Sequence, residues 1–313
     1  MGMKRLILTS LSGASLIRTD LGDLVVYFCA RFVWGPLPSP DELSNYLGAR
    51  SDDPRPGDHW SVFVGRWPSA INKAGRDIGL IEFCLQFETV ELWFEPAPND
   101  QLQLIWLLDY FRSHPEVVAR LRLRLVDFDL TSIPPTGLGK RKVHDIGVTA
   151  AELETASRAW QAYRATTPEA CLALLATDLS ALLLLKPALL ELLAELPSGT
   201  TGLGATEMRM LEMIAWGFAN TNPLFYLSTL RRTRVFDSWE TGSLLEGLAH
   251  GPRPAVAGLD DELRTLETKN LRGRDEAYRR SRLSLTEFGK AVVAHKEDFS
   301  RHNPIDRWWA APG

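Results

Sequence analysis

At 313 residues the chain is about twice the length of an ordinary domain, so two packed units are expected rather than one core. A composition of 45% hydrophobic, 24% charged and 9% aromatic residues is that of a globular protein and excludes the disordered, collagenous and low-complexity classes. The formal net charge of -4, from 35 basic and 39 acidic side chains, excludes the broad positive field of a protein that coats nucleic acid or an anionic membrane.

The opening Lys4-Arg5 pair and the apolar residues after it superficially resemble an export signal. Thr9 and Ser10 interrupt that run and Ser12-Gly13 turns the chain, so it is read as a first strand over residues 5–11. A second strand follows at 24–28, with Asp20, Gly22 and Asp23 in the connection. Gly35 between Trp34 and Pro36 marks a shaped loop, and Asp41-Glu42-Leu43 opens a short helix. Residues 52–67 read as an excursion, and a helix is expected over 69–87. Residues 90–94 then form a strand that Pro96 and Pro98 stop. Asn99 is positioned to cap a helix whose Leu102, Ile105, Trp106 and Leu108 turn inward. In the next strand, Leu121, Leu123 and Leu125 alternate with Arg122 and Arg124, the pattern of a sheet near an edge with one partly solvated face. Strand and helix alternate throughout, which predicts an open, mainly parallel Rossmann-like sheet over residues 1–130.

Residues 131–200 are predicted to be a helical connector. Its richest apolar stretch, 172–196, carries Asp178, Lys186 and Glu191 at intervals a bilayer penalises, so buried helices are expected and no membrane association. Residues 201–313 predict helices near 205–217, 222–231 and 241–248, a strand-like wing at 282–286 and a helix from Glu287 to about residue 294. That order describes a winged helix-turn-helix. The ending with Trp308-Trp309 is predicted to dock on apolar surface. Cys29, Cys84 and Cys171 lie in apolar settings without metal-ligand spacing and read as thiols of a reducing, cytoplasmic compartment.

The strings LVVYFCARFVWGPL and VELWFEPAPNDQLQLIWLLDYF, the glycines Gly137 and Gly139, and the closing LTEFGKAVVAHKEDFSRHNPIDRWW resemble an uncharacterised bacterial family, domain of unknown function 1835 (DUF1835). The resemblance spans nearly the whole chain and implies an amino-terminal Rossmann-like unit with a winged-helix-like carboxy-terminal region. It implies no established activity. The sequence departs from the family pattern where Trp34 replaces an acidic residue and Pro96-Ala97 a His-Asp pair, while Glu95, Asp100 and Gln101 persist.

Two candidate sites follow. Ser12, Gly13, Gly35, Glu95, Asn99, Asp100 and Gln101 fall at the predicted carboxyl ends of parallel strands, where loops diverge and helix amino termini face a ligand. Against this stands a purely structural role as caps and turn residues. An enzyme would use Glu95 and Asp100 as paired carboxylates, one protonated by proximity and the other a base. No dinucleotide fingerprint, phosphate loop or serine elbow accompanies them, and the cofactor is unknown. The dispersed histidines establish no metal site; His295 and His302 are read as surface residues at a helix end.

The second site is a set of arginines, Arg231, Arg232, Arg234, Arg279, Arg280 and Arg282, suited to phosphate contact. Residues 201–313 nevertheless hold sixteen basic against fifteen acidic side chains, and the expected recognition helix has no Arg or Lys. The function expected is a ligand- or macromolecule-binding module. A DNA-binding regulator and an enzyme are the alternatives, and a small molecule, a protein partner or a second copy are the partners left open.

Overall fold

The computed structural model describes residues 4–50, 59–64, 67, 71, 74–226 and 234–305. Arg231, Arg232, Trp308 and Trp309 lie outside the described residues, so the docking of the two tryptophans and the first two arginine contacts do too. The chain divides into compact units at Met1–Leu189 and Leu190–Arg307. No helix among the described residues is long and apolar enough to cross a membrane.

The amino-terminal unit is a Rossmann-like α/β fold. Its elements in chain order are β1 (Arg5–Ser10), the 3-10 helix Leu11–Arg18, β2 (Leu24–Phe28), α1 (Pro40–Leu47), α2 (Leu80–Cys84), β3 (Thr89–Phe94), α3 (Pro98–Phe111) and α4 (Pro115–Val118). After them come β4 (Leu121–Leu125), α5 (Pro135–Leu138), β5 (His144–Gly147), α6 (Ala150–Tyr163), α7 (Glu169–Leu175) and α8 (Leu185–Leu193). The five-stranded sheet has the order β2-β1-β3-β4-β5; the first four strands are parallel and β5 runs antiparallel to β4. The unit therefore continues past residue 130, because β5 joins the sheet edge and α6 packs along α3.

Strand alternation divides the sheet into two unlike faces. Leu6, Leu8, Val90, Leu92 and Phe94 form one continuous apolar face. Ile7, Val25 and Trp93 share the other with Leu16 of the 3-10 helix and Val126, Leu130 and Leu138. That second face also holds a buried charge. Glu91 is 1% exposed, yet Arg124 grips both its oxygens at 2.7 and 3.1 Å, Arg5 stands at 3.2 Å and the Trp93 indole donates at 2.8 Å. A buried carboxylate is tolerated only when its lone pairs are served in this way.

Two local expectations differ. The helix expected over 69–87 is reduced, among the described residues, to the 3-10 turn Ala74–Arg76 and the short α2. Gly79 there takes an extended conformation and is the residue before α2. Asn99 is not a cap: Ala97 is the N-cap and Pro98 the first helical residue, a position that suits a ring with no N–H to lose. The helix thus starts early and carries Asn99 into its first turn.

The carboxy-terminal unit is winged-helix-like: α9 (Ala205–Ala215), α10 (Thr221–Tyr226), α11 (Ser238–His250), β6 (Val256–Ala257), α12 (Leu271–Arg280), β7 (Ser284–Leu285) and α13 (Glu287–Val293). The wing is the antiparallel pair β6–β7, with α12 inserted between its strands. Gly258, at φ 87°, turns the chain out of β6 where any side chain would strike the Arg282 carbonyl. One face of α11 meets α12: Glu246 accepts from Arg274 and from the Tyr278 hydroxyl, and Arg274 lies over the Trp239 ring at 5.0 Å.

Two substitutions test this packing. A side chain at the buried Gly13 would stand 2.9 Å from Thr9 Cβ and Cγ2, so Gly13→Ala is expected to destabilise by about 1–3 kcal/mol in urea titration. Glu246→Ala strips Arg274, 6% exposed, of its carboxylate, and a loss of about 3 kcal/mol is expected by the same measurement.

Candidate functional site

Strand order reverses at β1 and β3, so the carboxyl ends of those two strands form the switch point, the place where open α/β sheets form a crevice. Ser10 closes β1 and Ser12 begins the 3-10 helix beyond it. Glu95 follows β3, and Asp100 sits in the first turn of α3. The fold brings all four together. Asp100 Oδ2 accepts from Ser10 Oγ at 2.6 Å, from Ser12 Oγ at 2.8 Å and from the Glu95 N–H at 3.3 Å. The two serine hydroxyl oxygens are themselves 2.6 Å apart.

The other predicted residues build the walls. Gln101 Nε2 donates to the Glu95 carbonyl at 2.6 Å and fixes the turn that holds the carboxyl. Asn99 clamps the loop after β2, accepting from the Phe32 N–H at 2.8 Å and donating to the Ala30 carbonyl at 3.0 Å. Gln103 donates to the same carbonyl at 2.6 Å, and the Tyr163 hydroxyl of α6 donates to the Phe32 carbonyl. Gly13 is buried because the 3-10 helix approaches Thr9 so closely, and Thr9 Oγ1 donates to the Trp93 carbonyl at 2.6 Å. Gly35 has a different role: at φ 75°, with open space where a Cβ would be, it turns the loop and makes no hydrogen bond to the carboxylates.

Sequence reasoning missed Ser10, Arg31, Asp129 and Leu130. Ser10 was signalled by its place as the last residue of an apolar strand. Arg31 gave no signal, since only the clamped loop brings its positive charge near Asp100. Asp129 follows β4, caps the 3-10 turn Leu130–Ser132 and stands close enough to oppose ionisation of Glu95.

Glu95 and Asp100 are each 6% exposed. Burial, then the neighbouring Asp100 charge, pushes the Glu95 carboxyl up to about 8, while the Ser12 hydroxyl and the Leu130 N–H pull the other way. Burial also raises Asp100, against Ser10, Ser12, the Glu95 N–H and Arg31. The Glu95 carboxyl therefore keeps its proton at neutral pH. Asp100, with three donors on one oxygen and Arg31 nearby, is the better-stabilised anion, so Glu95 carries the proton. Glu95 Oε1 is buried and has no hydrogen-bond partner among the described residues. Such an oxygen is costly to bury and is where a ligand or water is expected. The negative groups also make the start of α3 a poor phosphate site, since Asp100 occupies the position an anion would take.

A separate open hollow of about 460 Å³, lined by Glu152, Arg158, Asp178 and Ser180 among others, contains none of these residues. Among the described residues no group of three or more His, Cys, Asp or Glu side chains could hold a metal ion.

The arginines proposed for nucleic acid are mostly engaged with their own unit. Arg280 reaches Asp260 at 2.8 Å and Glu262 at 2.6 Å, and Arg279 pairs with Asp275. Arg282 donates to the Arg279 and Ser281 carbonyls at 3.0 and 2.8 Å. Arg234 is exposed.

No family model matches the chain, and no curated protein matches it. The resemblance to DUF1835 therefore gains no support from these comparisons, and the site stands on its own geometry.

Glu95 gives the site a pH signature. Below about 4.5, folded and unfolded chains both keep its proton. Between there and about 8 only the folded chain does, so stability falls as pH rises through that window. Glu95→Gln has no such proton to lose. It is expected to leave melting near pH 4.5 almost unchanged and to stabilise at pH 8 by about 2–4 kcal/mol, read from urea titrations at both pH values.

Proposed function

We propose that the amino-terminal unit is a small-molecule-binding module whose site is the crevice between β1 and β3. The observation that carries this is the unpartnered, buried Oε1 of Glu95 at the topological switch point of the sheet. Open α/β sheets receive ligands at that place because the loops on either side diverge. The walls are pre-formed: Asn99, Gln101, Gln103 and Tyr163 hold the surrounding loops in hydrogen bonds that need no ligand. Three unpaired cysteines fit a reducing, cytoplasmic setting.

A second reading, an acid–base enzyme, is favoured by one observation. Two adjacent carboxyls in unlike surroundings, with Glu95 at about 8 and Asp100 holding three donors, are the arrangement that separates an acid from a base. Binding is the more economical reading because it needs only the acceptor already present. For the winged unit, the ion-paired Arg279 and Arg280 favour an intramolecular or protein-contacting role over DNA recognition.

The test is a fragment screen on the full chain followed by amide NMR. Shifts are expected to cluster at residues 10–13, 95–101 and 129–130 and to vanish in Glu95→Ala. Hits scattered elsewhere, or none at these residues, overturn the reading.

A further inference from the structure

The chemical class of the ligand follows from counting hydrogen atoms around Glu95. Ser10 and Ser12 each have one hydroxyl proton, and both oxygens lie within donating distance of Asp100 Oδ2. Two protons cannot serve the four contacts these hydroxyls make, with Asp100, with each other and with the Glu95 carboxyl, so two contacts lack a serine proton, one of which Glu95 can supply. Glu95 Oε1 adds one more unserved acceptor. Asp129 stands on the same side with its own charge, and its carboxylate serves the local Thr131 and Ser132 N–H groups. The crevice is thus rich in acceptors and poor in donors. Arg31, the cation nearest in effect, acts on Asp100.

We propose that this crevice takes the protonated amino group of a small organic amine, whose N–H donors meet Glu95 Oε1 and the Ser12 oxygen. The inference rests on the binding reading above and narrows it. A carboxylate or phosphate ligand would add negative charge beside Asp100 and Asp129, and a neutral carbonyl would bring another acceptor to a place already lacking donors. A metal ion does not fit, since no ligating cluster forms among the described residues. The proton balance is explicit: the ammonium keeps its three protons, Glu95 releases its own to solvent, and the carboxylate left behind pairs with the cation. Of the residues around Glu95, Ser12 is half-buried and Asp129 is exposed.

Charges facing Glu95 come from α3 (Asp100), from the segment after β4 (Asp129) and, through Asp100, from the loop after β2 (Arg31). None supplies a cation to Glu95 directly. A bound ammonium within about 4–6 Å is expected to lower the Glu95 midpoint by about one pH unit or more.

The experiment titrates the Glu95 side-chain carboxyl by ¹³C NMR in the full chain, alone and with saturating n-butylammonium, butyramide or butyrate. These probes match in length and differ in charge and donors. The expected result is a midpoint that falls from about 8 with n-butylammonium only. Calorimetry at pH 7 should show release of about 0.4 proton or more per amine bound, through its dependence on the buffer's ionisation heat. Ser12→Ala, which keeps Glu95, should weaken amine binding about tenfold, or about 1.4 kcal/mol. If butyramide or butyrate perturbs Ser12 and Glu95 while the amine does not, the amine assignment is overturned and the binding site stands. If none of the three perturbs those residues, this inference is overturned, and the fragment screen then decides the broader reading.

Discussion

The first turns of α3 carry a constraint on which the amino-terminal unit depends. Asn99, Asp100, Gln101 and Gln103 are all buried there, and a buried polar group without a partner costs about 1–3 kcal/mol. Their partners lie at three strand ends: Ser10 closing β1 with Ser12 beyond it, Ala30 and Phe32 after β2, and Glu95 after β3. Satisfying α3 therefore fixes the ends of three strands at once. The site is shaped by the same hydrogen bonds that stabilise the fold.

The electrostatics follow from that geometry. Burying two carboxyls near each other disfavours ionising both, and the unequal supply of donors leaves the proton on Glu95. Asp100 receives three donors and Arg31; Glu95 receives Asp129 as a further opponent. The contrast with Glu91, within the strand that Glu95 follows, is instructive. Glu91 is more deeply buried, yet two arginines and an indole serve it fully, so it is a structural ion pair. Four residues on, Glu95 has an oxygen with no partner among the described residues. Burial alone does not mark a site; an unmet hydrogen-bonding demand does.

In the carboxy-terminal unit the fold and its surface chemistry point different ways. Three helices and a small wing are an arrangement compatible with nucleic-acid contact, but a fold does not fix a function. α12, inserted within the wing, lays Arg274 and Tyr278 on Glu246 of α11, the helix whose position would be that of a reader. The neighbouring arginines at 279 and 280 pair with acids of the same unit, so this surface is charge-balanced.

The sequence by itself determined the strand and helix alternation, the mainly parallel sheet, and the order of helices and wing that makes the second unit. Each of these is a local pattern: apolar periodicity, prolines at helix starts, glycines at turns. Glu95, Asp100 and Gln101 were legible as candidates because the end of a parallel strand is a local feature too. The start of α3 at Ala97, the shortening of the helix expected before β3, the addition of β5 to the sheet and the place of Arg31 beside Asp100 depend on contacts between residues far apart in the chain. So does the difference between Glu91 and Glu95. One lies within β3 and the other just after it, and only the packed structure decides which carboxyl finds its partners and which is left with an oxygen to share.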